Sequence, residues 1–195
     1  MTLHLLRHAP AAGTAGRCIG HTDVPLAQPD AFAAVAAAWP HGRPDRLVAS
    51  DLARAAASAA PLAAAWGLRA ETEPRLREMD FGRWDGRPWA EIERDDPDAL
   101  AAWMSDWTAT PASGGESFAD VQARVGDWLD SLPAGGKTDG ETVAVAHAGA
   151  IRAVLVRVLG LDPAHAFRLA VGHGALTTLR LDPPELLVLN RPLLP

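Results

Sequence analysis

The chain has almost no cysteine and almost no lysine. Cys18 is the single cysteine in 195 residues, so no intrachain disulfide can form and no cysteine cluster exists to hold zinc. Lys137 is the single lysine, and the rest of the 18 basic residues are arginine. Arginine suits bidentate recognition of phosphate. Beside so many alanines, the bias also reads as coding composition, so most of these arginines are given no role. No apolar run approaches the ~20 residues needed to span a bilayer. No charged segment leading into an apolar run precedes the first strand, so no secretory signal is expected, and the expected location is the cytoplasm. A net charge of −6 and a pI near 5.6 argue against broad nucleic-acid binding.

What is present fits an ordinary globular protein, with 48% hydrophobic and 22% charged residues. The length fits one domain, 1–195, carrying a small helical insertion around 86–112. Such a chain buries a core without staples.

The stretch Thr2–Pro10 organises the rest. Leu3, Leu5 and Leu6 make a short strand that runs into Arg7 and His8 and is stopped by Pro10. In open α/β sheets, ligands bind at the carboxyl ends of strands. A cation and an imidazole at that place suit an anion. A long loop, Ala9 to Leu26, follows, and loops of this length are often functional. Periodicity predicts a helix over Asp30–Trp39, ended by Pro40 and Gly42. Arg46–Ala49 reads as a second strand. Ser50 reads as the N-cap of a helix over Asp51–Trp66, ended by Gly67, with Arg54 one turn in. A short strand is predicted near Leu68–Thr72, then an ordered loop over Glu73–Arg87. Two short helices near Trp89–Arg94 and Pro97–Trp107 carry Trp89, Trp103 and Trp107. A connector over Thr108–Gly115 leads to an amphipathic helix over Glu116–Leu132. Thr142–Ala146 is an apolar strand that runs into His147, Ala148 and Gly149, with a helix over Ala150–Leu159. Two last strands are read at Leu176–Leu181 and Leu186–Leu189. The alternation of strands and helices favours a mostly parallel sheet.

Arg7, His8, Arg54, Glu78 and His147 thus fall at strand ends, first helical turns or an ordered loop. Each alone has an ordinary reading as a core, surface or ion-paired residue. Together they make chemical sense. Two arginines and two histidines can surround a phosphate dianion, and a histidine with a free ring nitrogen can attack phosphorus. A carboxylic acid can protonate the leaving oxygen. Guanidinium and imidazolium can supply the positive charge, so neither metal nor cofactor is required.

Four segments carry a resemblance. They are Leu6-Arg7-His8, Ser50–Ala55, Leu76–Gly86 and Val145–Arg152, in order along almost the whole chain. They resemble the motifs of the histidine phosphatase superfamily, which includes cofactor-dependent phosphoglycerate mutases and many small phosphatases. The resemblance implies a three-layer α/β/α sandwich of the phosphoglycerate mutase-like kind. It implies that His8 is the nucleophile that becomes phosphohistidine. Arg7, Arg54 and His147 would bind the phosphoryl group, and Glu78 would be the proton donor, in an environment that favours its neutral form. Ala9 and Ala148 stand where the family usually has glycine, and both keep their backbone N–H. The Glu-Thr/Ser and Asn often found in the loop after the nucleophile are missing, and Thr14 is the residue placed to substitute. Gly20 resembles the substrate-side loop.

Within the family, Arg17–Leu26, Glu78–Gly86 and Gly114–Phe118 resemble the alpha-ribazole phosphatases of cobalamin biosynthesis. This implies a small phosphorylated metabolite as the partner, under tryptophans that otherwise read as insertion core. Mutase-type phosphotransfer is disfavoured by the short chain and the lack of a lysine-rich insertion. A silent phospho-ligand binder is disfavoured by the presence of both His8 and Glu78. Metal binding by His8, His147 and His173 comes last, because it lacks a carboxylate or cysteine at ligand spacing. A homodimer contact through an exposed strand or the tryptophan-bearing insertion stays open.

Overall fold

Leu3, Leu5 and Leu6 are fully buried along β1 (Thr2–Arg7), and a strand buried on both faces sits inside a sheet. In this computed structural model, which describes residues 1–133 and 140–194, β1 pairs in parallel with β4 (Glu141–Ala146). On its other side it pairs antiparallel with β5 (Ala175–Leu181). Beyond β4 lie β2 (Arg46–Ala49) and β3 (Ala70–Thr72), both parallel, and beyond β5 lies antiparallel β6 (Pro184–Pro192). The order is β3-β2-β4-β1-β5-β6. Lys137 lies outside the described residues.

The period-two alternation of the strands sorts the core into two layers. Leu6, Val143 and Val145 pack with Phe32 and Val35 of α1 (Ala31–Ala37) and with Ala55 and Leu62 of α2 (Ala53–Trp66). Leu3, Leu5, Ala144 and Ala146 pack with Val121 and Val125 of α5 (Phe118–Asp130) and with Ile151 of α6 (Ala148–Leu159). Full burial of such a side chain contributes about 1.5–3 kcal/mol, so the two layers dominate the stability. The three-layer α/β/α sandwich with a mostly parallel sheet is therefore the architecture observed. Near 86–112, α3 (Trp89–Asp95) and α4 (Pro97–Ser105) close over a third, small cluster of Cys18, Trp84, Ile92 and Ala112. Among the described residues no helix is long and apolar enough to cross a membrane.

Several boundaries differ from the sequence reading for local reasons. Ser50 does not cap α2. Leu52, extended, occupies the cap position, and the Ala53 N–H donates to Asp23 Oδ1 at 2.8 Å, so the 9–26 loop supplies the cap. The helix α1 stops at Ala37, which frees Trp39 to pack edge-on against His4. Ser117 and Asp120 form a capping box, which starts α5 at Phe118. The helix α6 starts at Ala148, and His147 takes its cap position. The 73–87 loop contains two 3-10 turns, Pro74–Leu76 and Gly82–Trp84.

Candidate active site

The two central parallel strands end side by side. Arg7 is in register with Ala146, so β1 delivers His8 and β4 delivers His147 to the same edge of the sheet. The two rings lie 4.9 Å apart, centroid to centroid. The His8 Nδ1–H donates to the Ala9 carbonyl at 2.7 Å, which fixes the tautomer and leaves the Nε2 lone pair unprotonated. Arg54 Nε donates to that Nε2 at 3.3 Å. The remaining Arg54 donors reach the carbonyls of Thr22, at 3.0 Å, and Gly20, at 2.6 Å, so this buried guanidinium is held on three sides.

Burial pushes the His8 imidazole down to about 3; the Ala9 carbonyl opposes this, and Arg54, Arg7 and His173 add to it. Burial, followed by His8 and Arg54, also holds His147 well below the ordinary histidine range. Both rings are therefore neutral at physiological pH in the free protein. The positive charge expected partly from imidazolium comes instead from Arg7, Arg54 and Arg152.

His147 is fully buried. Its Nε2 lies 2.9 Å from Ser50 Oγ, and its Nδ1 has no protein partner. Ser50 Oγ also accepts from the Leu52 N–H at 3.3 Å; when its own proton goes to His147 Nε2, the neutral ring carries its proton on Nδ1. Arg7 donates through Nη1 to the Val171 carbonyl at 2.7 Å, and its buried Nε is without a partner. Two buried, unpartnered nitrogens beside His8 suit a site that closes on an anion.

Glu78 enters from the loop after β3. Its Oε1 accepts from the N–H of Met79 at 3.0 Å and of Gly149, in the first turn of α6, at 2.9 Å. Its backbone is pinned as well: the Glu78 carbonyl accepts from Arg124 Nη2 and from His21 Nε2, each at 2.9 Å. Gly149 lets the carboxyl approach, since a Cβ there would sit 2.2 Å from Oε1.

Most of these groups line one end of a cavity of about 300 Å³, while His147 lies behind His8, fully buried and off the wall. Arg7, His8, Arg54, Glu78, Arg152 and His173 form the polar end, and Thr14 and Arg17 lie on the wall. Phe81, Trp89, Trp103, Trp107, Phe118 and Phe167 form an aromatic wall, in which Trp89 and Trp103 stack at 6.3 Å. Trp84 is instead core, with its indole N–H bonded to Asp96 Oδ2 at 2.8 Å. The structure thus brings Arg7, His8, Arg54, Glu78 and His147 together. The Thr14 hydroxyl donates to the Ala11 carbonyl at 3.2 Å. Gly20 lies behind Arg54 and off the cavity wall, and a Cβ there would strike the Met79 carbonyl at 2.3 Å. Ala148 is the first residue of α6 and also lies off the wall.

Four further residues shape the site; in the sequence Asp85 and Arg152 carry no assigned role, Ser50 reads as a helix cap, and His173 reads only as a weak metal-ligand candidate. Asp85 accepts from the N–H groups of Gly20, His21 and Thr22, and so holds the loop that holds Arg54. Ser50 orients His147. His173 donates from Nδ1 to the His8 carbonyl at 3.1 Å, with its ring 5.1 Å from His8. Arg152 rests over the Phe167 ring at 5.0 Å and donates to the Leu169 carbonyl at 3.1 Å. Ser50, Asp85 and Arg152 stand inside the recognised motifs, which is the one signal that pointed to them.

Comparison with known proteins agrees with this geometry. The profile of the histidine phosphatase superfamily, branch 1, matches residues 3–190. A glucosyl-3-phosphoglycerate phosphatase of Mycobacterium tuberculosis is 38% identical over 173 residues, 84% of this chain and 77% of that protein. An adenosylcobalamin/alpha-ribazole phosphatase of Salmonella typhimurium is 28% identical over 177 residues, 89% of this chain and 87% of that protein. Among solved structures, a mycobacterial glucosyl-3-phosphoglycerate phosphatase superposes with a TM-score of 0.82 at 34% identity, over 97% of this chain and 98% of that one. The alpha-ribazole phosphatase of Shigella flexneri shares the fold, with a TM-score of 0.87 at 24% identity over 97% and 96% of the two chains. A family match that runs nearly end to end, with phosphatases among the similar proteins, makes this chain a phosphatase of the histidine phosphatase superfamily.

Proposed function

We propose that the protein is a metal-independent phosphomonoesterase that works through a phosphohistidine at His8. The observation that carries this reading is the His8 tautomer. Its Nδ1 is committed to the Ala9 carbonyl, and its Nε2 lone pair faces Arg54 at the polar end of the cavity. In the first step Nε2 attacks phosphorus and the bond from phosphorus to the ester oxygen breaks. Glu78 gives its proton to the departing alkoxide. Oε1 holds the backbone N–H groups, so Oε2 carries that proton. The free donors of Arg7 and His147 bind the phosphoryl oxygens, and Arg54 neutralises the charge that builds on them. In the second step water attacks phosphorus, Glu78 takes its proton, and the bond from phosphorus to nitrogen breaks to release phosphate.

For the substrate, the aromatic wall favours an ester with a flat base, such as alpha-ribazole 5′-phosphate, and the 28% identical relative supports that reading. Arg152 favours a second reading. It lines the polar end beyond Arg7 and suits an ester whose alcohol carries a carboxylate, as in glucosyl-3-phosphoglycerate; the 38% identical relative supports this one.

The test is phosphate release in EDTA from alpha-ribazole 5′-phosphate, glucosyl-3-phosphoglycerate, 3-phosphoglycerate and p-nitrophenyl phosphate, with His8→Ala as control. The account expects turnover in EDTA that the control loses, with alpha-ribazole phosphate the best ester. Selective release from glucosyl-3-phosphoglycerate, weakened by Arg152→Gln, would favour the second reading. Isomerisation of 3-phosphoglycerate that needs a bisphosphate primer would move the protein to phosphotransfer. Binding without release would make it a silent binder.

A further inference from the structure

A second group of histidines lies away from the catalytic cavity. His4 is in mid-strand on β1, four residues before His8, which is about 13 Å along an extended chain. Its side chain is fully buried, and its Nε2 has no hydrogen-bond partner. Nδ1 lies 3.1 Å from Thr178 Oγ1 on the paired strand β5, so the tautomer protonated on Nδ1 is satisfied and the Nε2 lone pair is left over. That lone pair faces the Glu141 carboxylate, 3.8 Å away at the start of β4. The His41 ring lies 4.5 Å from the His4 ring, and one ligand atom from each of the three residues falls within 4.8 Å of the others.

We infer that His4, His41 and Glu141 form a site for a divalent transition metal ion of the zinc class, with the fourth position open to water. Two imidazoles and one carboxylate are a donor set that zinc accepts, and tetrahedral bonds near 2.1 Å place ligand atoms about 3.4 Å apart. Closing from 4.8 Å asks little movement of this group. His4 is the fixed anchor, oriented from behind by Thr178, as metal-bound histidines usually are. His41 is exposed and Glu141 half-buried, so both side chains can turn inward.

The backbones that carry them are already fixed. The Trp39 indole N–H donates to the Gly42 carbonyl at 3.1 Å and closes the loop around His41. Asp45 and Glu141 exchange two hydrogen bonds of 2.9 Å. Trp39 packs edge-on to both histidine rings, at 5.2 and 5.4 Å, and forms an apolar wall. A bound ion would tie the α1–β2 connection to the two central strands.

The test uses the tag-free, chelator-treated full chain, with zinc titrated by calorimetry and cobalt(II) by visible absorption. The expected result is one ion per chain, a cobalt spectrum of low coordination number, and a melting temperature that rises with zinc. His41→Ala and Glu141→Gln, both at accessible positions, should each weaken zinc by about tenfold or more while leaving phosphate release unchanged. Thr178→Val should weaken it by about 10–100-fold, the usual effect of losing the group that orients a ligand. His8→Ala should bind zinc as the wild type does. Equal zinc affinity in wild type and His41→Ala would overturn the inference, and so would zinc binding that disappears with His8→Ala, since the ion would then occupy the catalytic histidines.

Discussion

Gly149→Ala separates catalytic positioning from folding. An added Cβ would lie 2.2 Å from Glu78 Oε1, so the carboxyl must retreat by about 1 Å to reach ordinary contact. It then loses the 2.9 Å bond from the Gly149 N–H. The side chain of Glu78 is flexible, so the movement costs little stability. Alanine in the first turn of α6 should return about 0.5–1 kcal/mol of helix propensity. Catalysis should respond the other way. General-acid groups contribute about 10²–10⁴-fold, and a misplacement near 1 Å costs about 10²-fold. We expect kcat on an alkyl ester such as alpha-ribazole 5′-phosphate to fall about 10²-fold. The p-nitrophenyl ester, whose leaving group departs without a proton, should lose only a few-fold. Steady-state kinetics on the two esters, beside a thermal melt, measure this. Equal losses on both esters, or no loss on either, would refute the acid role of Glu78.

Ser50→Ala leaves His147 Nε2 without its partner in a fully buried place, and a lost buried bond of this kind costs about 1–3 kcal/mol. Urea denaturation should show that loss, and inorganic phosphate should inhibit more weakly because the ring proton is no longer held on Nδ1; unchanged inhibition would sever Ser50 from the anion site. Stability should also fall on mild acidification. His8 and His4 are held at about 3 and about 4 against 6.5 when unfolded, so the unfolded chain binds more protons below pH 6.5. The two together should remove about 3 kcal/mol between pH 6.5 and pH 5. A flat urea midpoint over that range would show that neither ring is held neutral.

Much of this was legible because it is local. The apolar run before Arg7 and His8, the apolar run before His147, and the Gly67 stop place the strands and helices that carry the site. Arg7, His8, Arg54, Glu78 and His147 stood in four motifs, which the sheet brings to one edge out of chain order, with β4 beside β1. What could not be read was tertiary. Ser50 looks like a helix cap in sequence, and only the neighbouring β4 gives it His147 instead. Asp23 caps α2 from thirty residues away. Asp85 acts on three backbone amides across the fold, a role that no spacing encodes. The tryptophans divide by burial, with Trp84 in the core and Trp89, Trp103 and Trp107 on the cavity wall, and hydrophobic pattern alone does not separate these.

The central claim is that His8 Nε2 takes the phosphoryl group, and trapping the intermediate tests it most directly. Enzyme mixed with ³²P-labelled ester and quenched within milliseconds into alkali preserves phosphohistidine for digestion and peptide mapping. The account predicts label on the His8 peptide as the Nε2-phospho isomer, formed in a burst before steady-state release and absent from His8→Ala. An enzyme that turns over without any labelled protein, or with the label on Nδ1 or on another residue, would contradict it.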